Sequence, residues 1–344
     1  MKQINTINKK LLKQTLFTVA YYNALGYYPT SFFVWKNLIE TKGNGVKSSF
    51  GDIVNAIVDL IGRGKISEYN GMYKISYRLS ANSSQTKKPL KLSHKFKNFI
   101  SFEEETPIWY KEQIQKNKIS TDKIKRAKQW ASMSRWVPYL RGLFLTGTLA
   151  MKRGGNNSDW DVLVVIKKDR IWIGRLIVAT WFHLICKRRN NQKIKNRFCL
   201  NQFVVDKKLK FKEKNEFFGN ELLMTEDLMD GIKLKNKMMQ KNKEWIKVFK
   251  PNFKFKQKQF TKRKDFFSMI IQKKIENILE IFKLAEILNA ISKKIMIQKI
   301  IDNPKTYSPG ADIRYSDFFL VFLPKPQRAK TRKRVIELLT KMNT

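Results

Sequence analysis

Soft metal ligands are scarce in this chain of 344 residues: it has two cysteines, Cys186 and Cys199, and two histidines, His94 and His183. Neither pair has metal-ligand spacing, which argues against a zinc site and a disulfide framework. Acidic residues are also few. Only 28 Asp and Glu stand against 70 Lys and Arg, a formal net charge of +42. An AT-rich coding sequence would raise Lys, Asn and Ile, but it would raise Glu as well. The imbalance therefore points to a polyanionic partner, with RNA or DNA first and an anionic membrane surface second. Long apolar runs are missing too. The longest extends from Leu176 to Cys186 and includes His183, well short of the ~20 residues a membrane-spanning helix needs. The N-terminal segment has no clean apolar signal core, so a cytoplasmic location is the expectation. No internal repeat is visible.

The most informative stretch is Gly142 to Ile166, GLFLTGTLAMKRGGNNSDWDVLVVI. It reads as a strand (Leu143 to Thr146), a Gly-Thr turn into a short helix, a Gly/Asn loop and a second strand. Asp159 and Asp161 precede the apolar run Val162 to Ile166. Residues two apart in a strand share a face, so these carboxylates are expected side by side at the mouth of a buried strand. Adjacent carboxylates repel unless a cation lies between them, and Mg²⁺ suits an all-oxygen pair. A Gly-Thr turn opening a helix offers backbone N–H groups and a hydroxyl to a phosphate. Together these are the equipment of phosphoryl or nucleotidyl transfer.

Gly147-Thr148, ten intervening residues, then Asp159-Trp160-Asp161 and Val-Leu-Val-Val resemble the nucleotidyltransferase superfamily of polymerase-beta type. Thr148 stands where that family has Gly or Ser. The likeness covers roughly residues 134–206, and only its first half carries a motif. It implies a Mg²⁺-dependent enzyme that moves a nucleoside monophosphate from a nucleoside triphosphate to an acceptor hydroxyl. In that reading Asp159 and Asp161 hold the metal. Gly147 and Thr148 take the phosphates, and Lys152 or Arg153 neutralises them. The family also places a third carboxylate on the neighbouring strand. Here the central polar residue of that strand is Asn201, expected on one face with Cys199, Phe203 and Val205. The acid nearest to it is Asp206, at the strand's end. Either a bend brings Asp206 to the metal or the third ligand is absent. The alternative is a catalytically weakened member acting as a nucleic-acid-binding or regulatory module.

Before this core, residues 8–77 read as three helices and a hairpin. The first helix covers about Lys9 to Leu25. A second, capped by Thr30 or Ser31, runs to Thr41, and the Gly43-Asn44-Gly45 break follows. A third, capped by Ser48 or Ser49, has the stripe Ile53, Ala56, Ile57, Leu60 and Ile61. Asn70-Gly71 is a strong hairpin signal. This is the order of a winged helix, and it looks like the module fused to small nucleotidyltransferase domains. Lys47, Asp52, Asn55 and Asp59 on the third helix match phosphates poorly, which favours an RNA or protein dock over sequence-specific DNA reading.

Residues 78–120 read as a basic linker or irregular segment, and Thr121-Asp122 as the cap of a helix to Trp136. After Ile166 the expectation is a buried helix (Ile171 to Lys187), a basic Arg188-Arg189 loop, a strand from Phe198 to Val205 and a fourth at Leu209 to Phe211. Residues 213–249 look helical. Lys241 to Lys264 interleaves cations with aromatics, which suits either single-stranded nucleic acid or a packed connector. Asp265 to Ile301 reads as one long amphipathic helix, a core or homodimer helix or else a membrane-surface one. Asp317 to Leu323 reads as a strand or buried segment. The resulting fold class is α+β. A winged helix (8–77) and a linker (78–120) precede a mixed-sheet nucleotidyltransferase core (121–212) and a basic helical C-terminal region (213–344).

Overall fold

Asn8 accepts a hydrogen bond from the Lys10 amide at 2.9 Å and starts helix α1 (Lys9–Ala24). The computed structural model describes residues 8–40, 47–76, 106–190, 192–229, 232–254, 266–324 and 327–341. Thr30 caps α2 (Ser31–Lys36), and Ser49 with Asp52 forms a reciprocal capping box on α3 (Phe50–Gly62), so the helix starts follow the side chains that satisfy free amides. Helix α2 stops at Lys36 instead of reaching Thr41, because Leu38 and Ile39 turn into the core. There Ile39 N–H donates to Thr18 Oγ1 at 3.0 Å. The Gly43-Asn44-Gly45 break lies outside the described residues. Ile53, Ala56, Ile57 and Leu60 are buried as the stripe requires, but Ile61 is exposed. Strands β1 (Ile66–Tyr69) and β2 (Met72–Ile75) pair antiparallel. Asn70 and Gly71 both have positive φ, the two-residue turn that matches strand twist. A bridge from Thr30 to Met72 ties α2's start to this hairpin.

Helix α4 (Ile108–Ser132) begins inside the stretch expected to be irregular and takes up its last part, from Ile108 to Ser120. Thr121 and Asp122 are interior residues rather than caps, and Thr121 Oγ1 donates back to Asn117 O at 2.9 Å. Residues 78–105 of the expected linker lie outside the described residues.

The next elements are β3 (Leu140–Leu145), α5 (Gly147–Ala150), β4 (Trp160–Ile166), α6 (Ile171–Leu184) and β5 (Phe198–Val205). Then come α7 (Glu216–Met224), β6 (Glu226–Asp227), α8 (Ile232–Phe249), α9 (Phe266–Ile281), α10 (Leu284–Ile301), β7 (Asp312–Tyr315), β8 (Phe319–Leu323) and α11 (Gln327–Thr340). Six strands form one mixed sheet in the order β6-β3-β4-β5-β8-β7. Only β4 and β5 are parallel, and α6 supplies the crossover such a pair needs. Alternation along β4 serves two cores. Val162, Val164 and Ile166 face Trp172 and Phe182 of α6 and Ala285 and Met296 of α10. Leu163 and Val165 face Leu222 of α7 and Met238 and Ile246 of α8. With both faces covered, β4 is the continuous apolar run its sequence shows.

Several C-terminal expectations are corrected. Leu209 to Phe211 forms no strand; the strand beyond β5 is β8, more than a hundred residues later. The single helix over 265–301 is two, broken around Lys283 at φ +51°. The C-terminal region is therefore not purely helical. Its strands complete the central sheet, and Val335 of α11 joins the core of α1 and α3. In the Lys241–Lys264 segment the described aromatics pack inward, and Lys250 is fully buried, donating to Tyr22 Oη at 2.9 Å and Asn37 O at 3.0 Å. Residues 255–264 lie outside the described residues. The outer faces of α9 and α10 and the break between them expose Ile281, Phe282, Ile291 and Ile295. Among the described residues no helix is long and apolar enough to cross a membrane.

Leu320 of β8 is completely buried against the α6 side of the sheet. Leu320→Ala should lower unfolding free energy by about 2–5 kcal/mol. Chemical denaturation checks this, and an unchanged midpoint would remove β8 from the core.

Candidate functional site

The turn between β3 and α5 is bonded to β4 through Thr146 N–H, which donates to Asp161 O at 2.8 Å. Gly147 follows at φ +65°, a conformation that favours glycine. A Cβ built at this position would lie 2.8 Å from Asp161 Oδ2. Two independent constraints, backbone sign and space, thus demand glycine at 147. Thr148, next in the turn, is exposed and lines a cleft of about 1250 Å³.

The loop carrying Asp159 is held from behind by α4. Lys123 Nζ donates to Asn156 O and Ser158 O, both at 2.7 Å, and Gly154 N–H donates to Ser120 Oγ at 2.9 Å. Asp159 Oδ2 accepts from Arg189 Nη1 at 2.7 Å, and that nitrogen also lies 3.2 Å from Cys199 Sγ. Asp159, Asp161 and Cys199 offer ligand atoms all within 4.8 Å of one another.

Asp161 pairs in register with Cys199, but the next pairing is Leu163 with Gln202, so β5 carries an extra residue. This bulge breaks the expected common face. Cys199 stays beside Asp161, whereas Phe203 and Val205 turn into the α6 core. A β-bulge commonly re-aims a side chain at a site, and here Asn201 Nδ2 donates to Asp161 Oδ1 at 3.1 Å. Asn201 Oδ1 is buried and has no partner.

Burial, then the neighbouring Asp159 charge, push the Asp161 carboxyl up to about 6. Burial, Asp161 and Asp159 push the Cys199 thiol up to about 12, so it is protonated at neutral pH. Glu221 of α7 lines the same cleft, and burial with the Asp161 charge raises it to about 7. Nothing in sequence spacing flags Glu221, because it reaches the site from α7, a helix that packs on the sheet face opposite α6. Lys123 and Arg189 were equally hidden among many basic residues.

Two expected site residues do not join. Asp206 lies at the opposite end of β5 from Cys199, roughly 20 Å away by strand rise, and its Oδ1 accepts from Lys168 N–H at 3.1 Å. No bend brings it round, because β5 remains paired with β4 through Val205. Lys152 sits in a left-handed turn at φ +58° and is not among the cleft residues. Its neighbour Arg153 is, but the guanidinium is directed to Leu25 O of the N-terminal module. Nine Arg and Lys side chains and four carboxylates line the cleft.

Gly147→Ala should destabilise the fold by about 1–3 kcal/mol, since the added methyl meets a carboxylate held by β4. Asp161→Asn should do the reverse. Asp161 titrates near 6 folded, above its ordinary 3.8, so folding is opposed by its ionisation as pH rises from about 4 to 6 and stays opposed above. In EDTA at pH 7 the asparagine variant should melt higher, by about 3 kcal/mol of stability, with the gain fading near pH 4. Thermal melts across that range check both variants. No protein-family model, curated protein or solved structure matches the chain.

Proposed function

We propose that the chain is a nucleotidyltransferase of polymerase-beta type, transferring a nucleoside monophosphate from a nucleoside triphosphate to an acceptor hydroxyl. The observation that carries this is the contact of Gly147 with the Asp161 carboxylate, beside Asp159, at a cleft rich in cations. The donor set fits a hard divalent cation such as Mg²⁺. Asp159 and Asp161 give carboxylate oxygens, and the orphaned Asn201 Oδ1 gives a neutral one. The protonated Cys199 thiol is not a ligand for such an ion. When bound, Mg²⁺ would offset charge on the triphosphate and the departing pyrophosphate.

The chain's own residues do the rest. Gly147 lets the backbone approach a phosphate, and the exposed Thr148 hydroxyl donates to a terminal oxygen. Arg189 keeps Asp159 in place and adds positive charge to the cleft wall. Glu221, a cleft residue with a raised carboxyl, would be the group to take the acceptor's proton in place of an acid on β5. The first three helices, the hairpin and the Thr30–Met72 bridge support a winged helix. On α3, Asp52 is spent in a cap and Asp59 on Arg63. That surface suits an RNA or protein dock better than a DNA groove, and the net charge of +42 favours RNA.

A second reading has its own support. The Arg189–Asp159 ion pair and the Cys199/Asn201 pair where a third acid would stand suit a protein that binds nucleotide or nucleic acid without turnover. Incubation with each labelled nucleoside triphosphate and Mg²⁺, followed by pyrophosphate and acceptor-label measurement, separates the two. Transfer should appear with wild type and fall at least about a hundredfold, some 3 kcal/mol of barrier, in Asp159→Ala/Asp161→Ala. Equal signal from both proteins, or none from wild type, would sink the enzyme.

A further inference from the structure

Arg175 of α6 presents a charge with no counter-charge. Its guanidinium stacks over the rings of Phe322 and Phe203, at 4.5 and 5.8 Å from their centroids, and its Nη1 lies 3.1 Å from Met296 Sδ. Among the described residues no carboxylate is paired with it. Burial, and after it the like charge of Arg188, pull its pKa down to about 10. A guanidinium has five donors, and one thioether satisfies only a fraction of that capacity. Burying a cation without a partner costs several kcal/mol, and breaking a buried pair exposes that cost in full. Ring stacking recovers part of it and fixes the plane of the fork.

Both arginines line the large cleft, Arg188 from its exposed rim. Lys305 lines it as well, exposed and in the turn before β7. The cleft, at about 1250 Å³, exceeds the ~300–1,000 Å³ typical of a single small-molecule site. It therefore has room for a second ligand beside one at Gly147 and Asp161. The planar fork of Arg175, set by two rings and backed by Arg188, matches the paired oxygens of a phosphate group.

We propose that Arg175 and Arg188 form a phosphate-binding subsite in the cleft, separate from the carboxylate end, which holds a phosphate of a second, phosphorylated ligand. Naming that ligand as the acceptor rests on the nucleotidyl-transfer reading; the phosphate subsite itself does not. If transfer does operate, the acceptor is a phosphate-bearing molecule rather than a neutral one.

The test uses the full chain in EDTA, with inorganic phosphate as probe and affinity read by calorimetry. Phosphate should bind wild type and Asp159→Ala/Asp161→Ala alike. Arg188→Gln, an exposed change that should leave the thermal midpoint in place, should weaken it at least fivefold. Arg175→Met keeps the stem against the rings and should abolish it. Should that variant fail to fold, Arg175→Lys keeps the charge, loses the fork and should bind at least fivefold more weakly. Unchanged phosphate affinity in the folded Arg175 and Arg188 variants, or no phosphate binding by wild type, overturns the subsite. Two further arms identify the phosphate source. A 5′-phosphorylated oligoribonucleotide binding at least tenfold tighter than its unphosphorylated twin assigns a terminal monoester. Equal binding of the two, displaced by phosphate and weakened by Arg188→Gln, assigns the backbone diester. Failure of nucleotidyl transfer would leave phosphate binding intact. Failure of the subsite would leave pyrophosphate release in Arg188→Gln at its wild-type rate.

Discussion

Two carboxylates at the mouth of a doubly buried strand repel each other in a medium that screens poorly, and most of the neighbourhood can be understood as a response. Asp161 cannot retreat to water, since β4 continues from it into core on both faces. Its charge is met instead by an amide from Asn201 and, one residue pair away, by the guanidinium that holds Asp159. The backbone that comes nearest does so without a side chain, at Gly147. Such an arrangement opposes folding, the kind of local cost in stability that is common at binding sites.

The cleft is a joint product of distant parts of the chain. Helix α4 steadies the Asp159 loop through Lys123 and Ser120. The N-terminal module is fastened to it by Arg153, which reaches Leu25, and by the buried Lys250 at the end of α8, which reaches Tyr22 and Asn37. Asn252 adds two more bonds to the same module, accepting from Ser48 N–H at 2.9 Å and donating to Trp35 O at 3.0 Å. A module fixed by buried polar groups presents its outer surface at a defined place relative to the cleft. That matters for any ligand long enough to touch both.

Local signals were legible in the sequence and long-range ones were not. The hairpin at Asn70-Gly71, the boundaries of β5 and the side-by-side placement of Asp159 and Asp161 all follow from turn chemistry and alternation, which act over a few residues. The bulge at Asn201 is a one-residue event that leaves composition unchanged yet reverses every later side chain of β5. Alternation read straight through it put Phe203 on the wrong face. Asp206 is attractive because its charge is visible in sequence, whereas the unbroken pairing of β5 with β4 through Val205, which keeps it from the site, is not. Glu221, Arg175 and β8 owe their positions to tertiary packing. The split between α9 and α10 falls at Phe282-Lys283, where neither residue breaks helices by preference. Lys250 shows the same limit from the other side, a lysine in a basic run that packing draws into the core.

The placement of β8 beside β5 has a temporal consequence. Gln202 pairs with Val321, so a ribosome moving at ~5–20 residues per second has β5 exposed for on the order of ten seconds before its neighbour emerges. During that interval the strand next to the carboxylates has one free row of backbone donors and acceptors, the condition that invites pairing with another chain. The basic residues around it, Arg188 and Arg189 before and Lys207 and Lys208 after, keep like chains apart through mutual repulsion. The excess of positive charge thus also protects the sheet while it is being made.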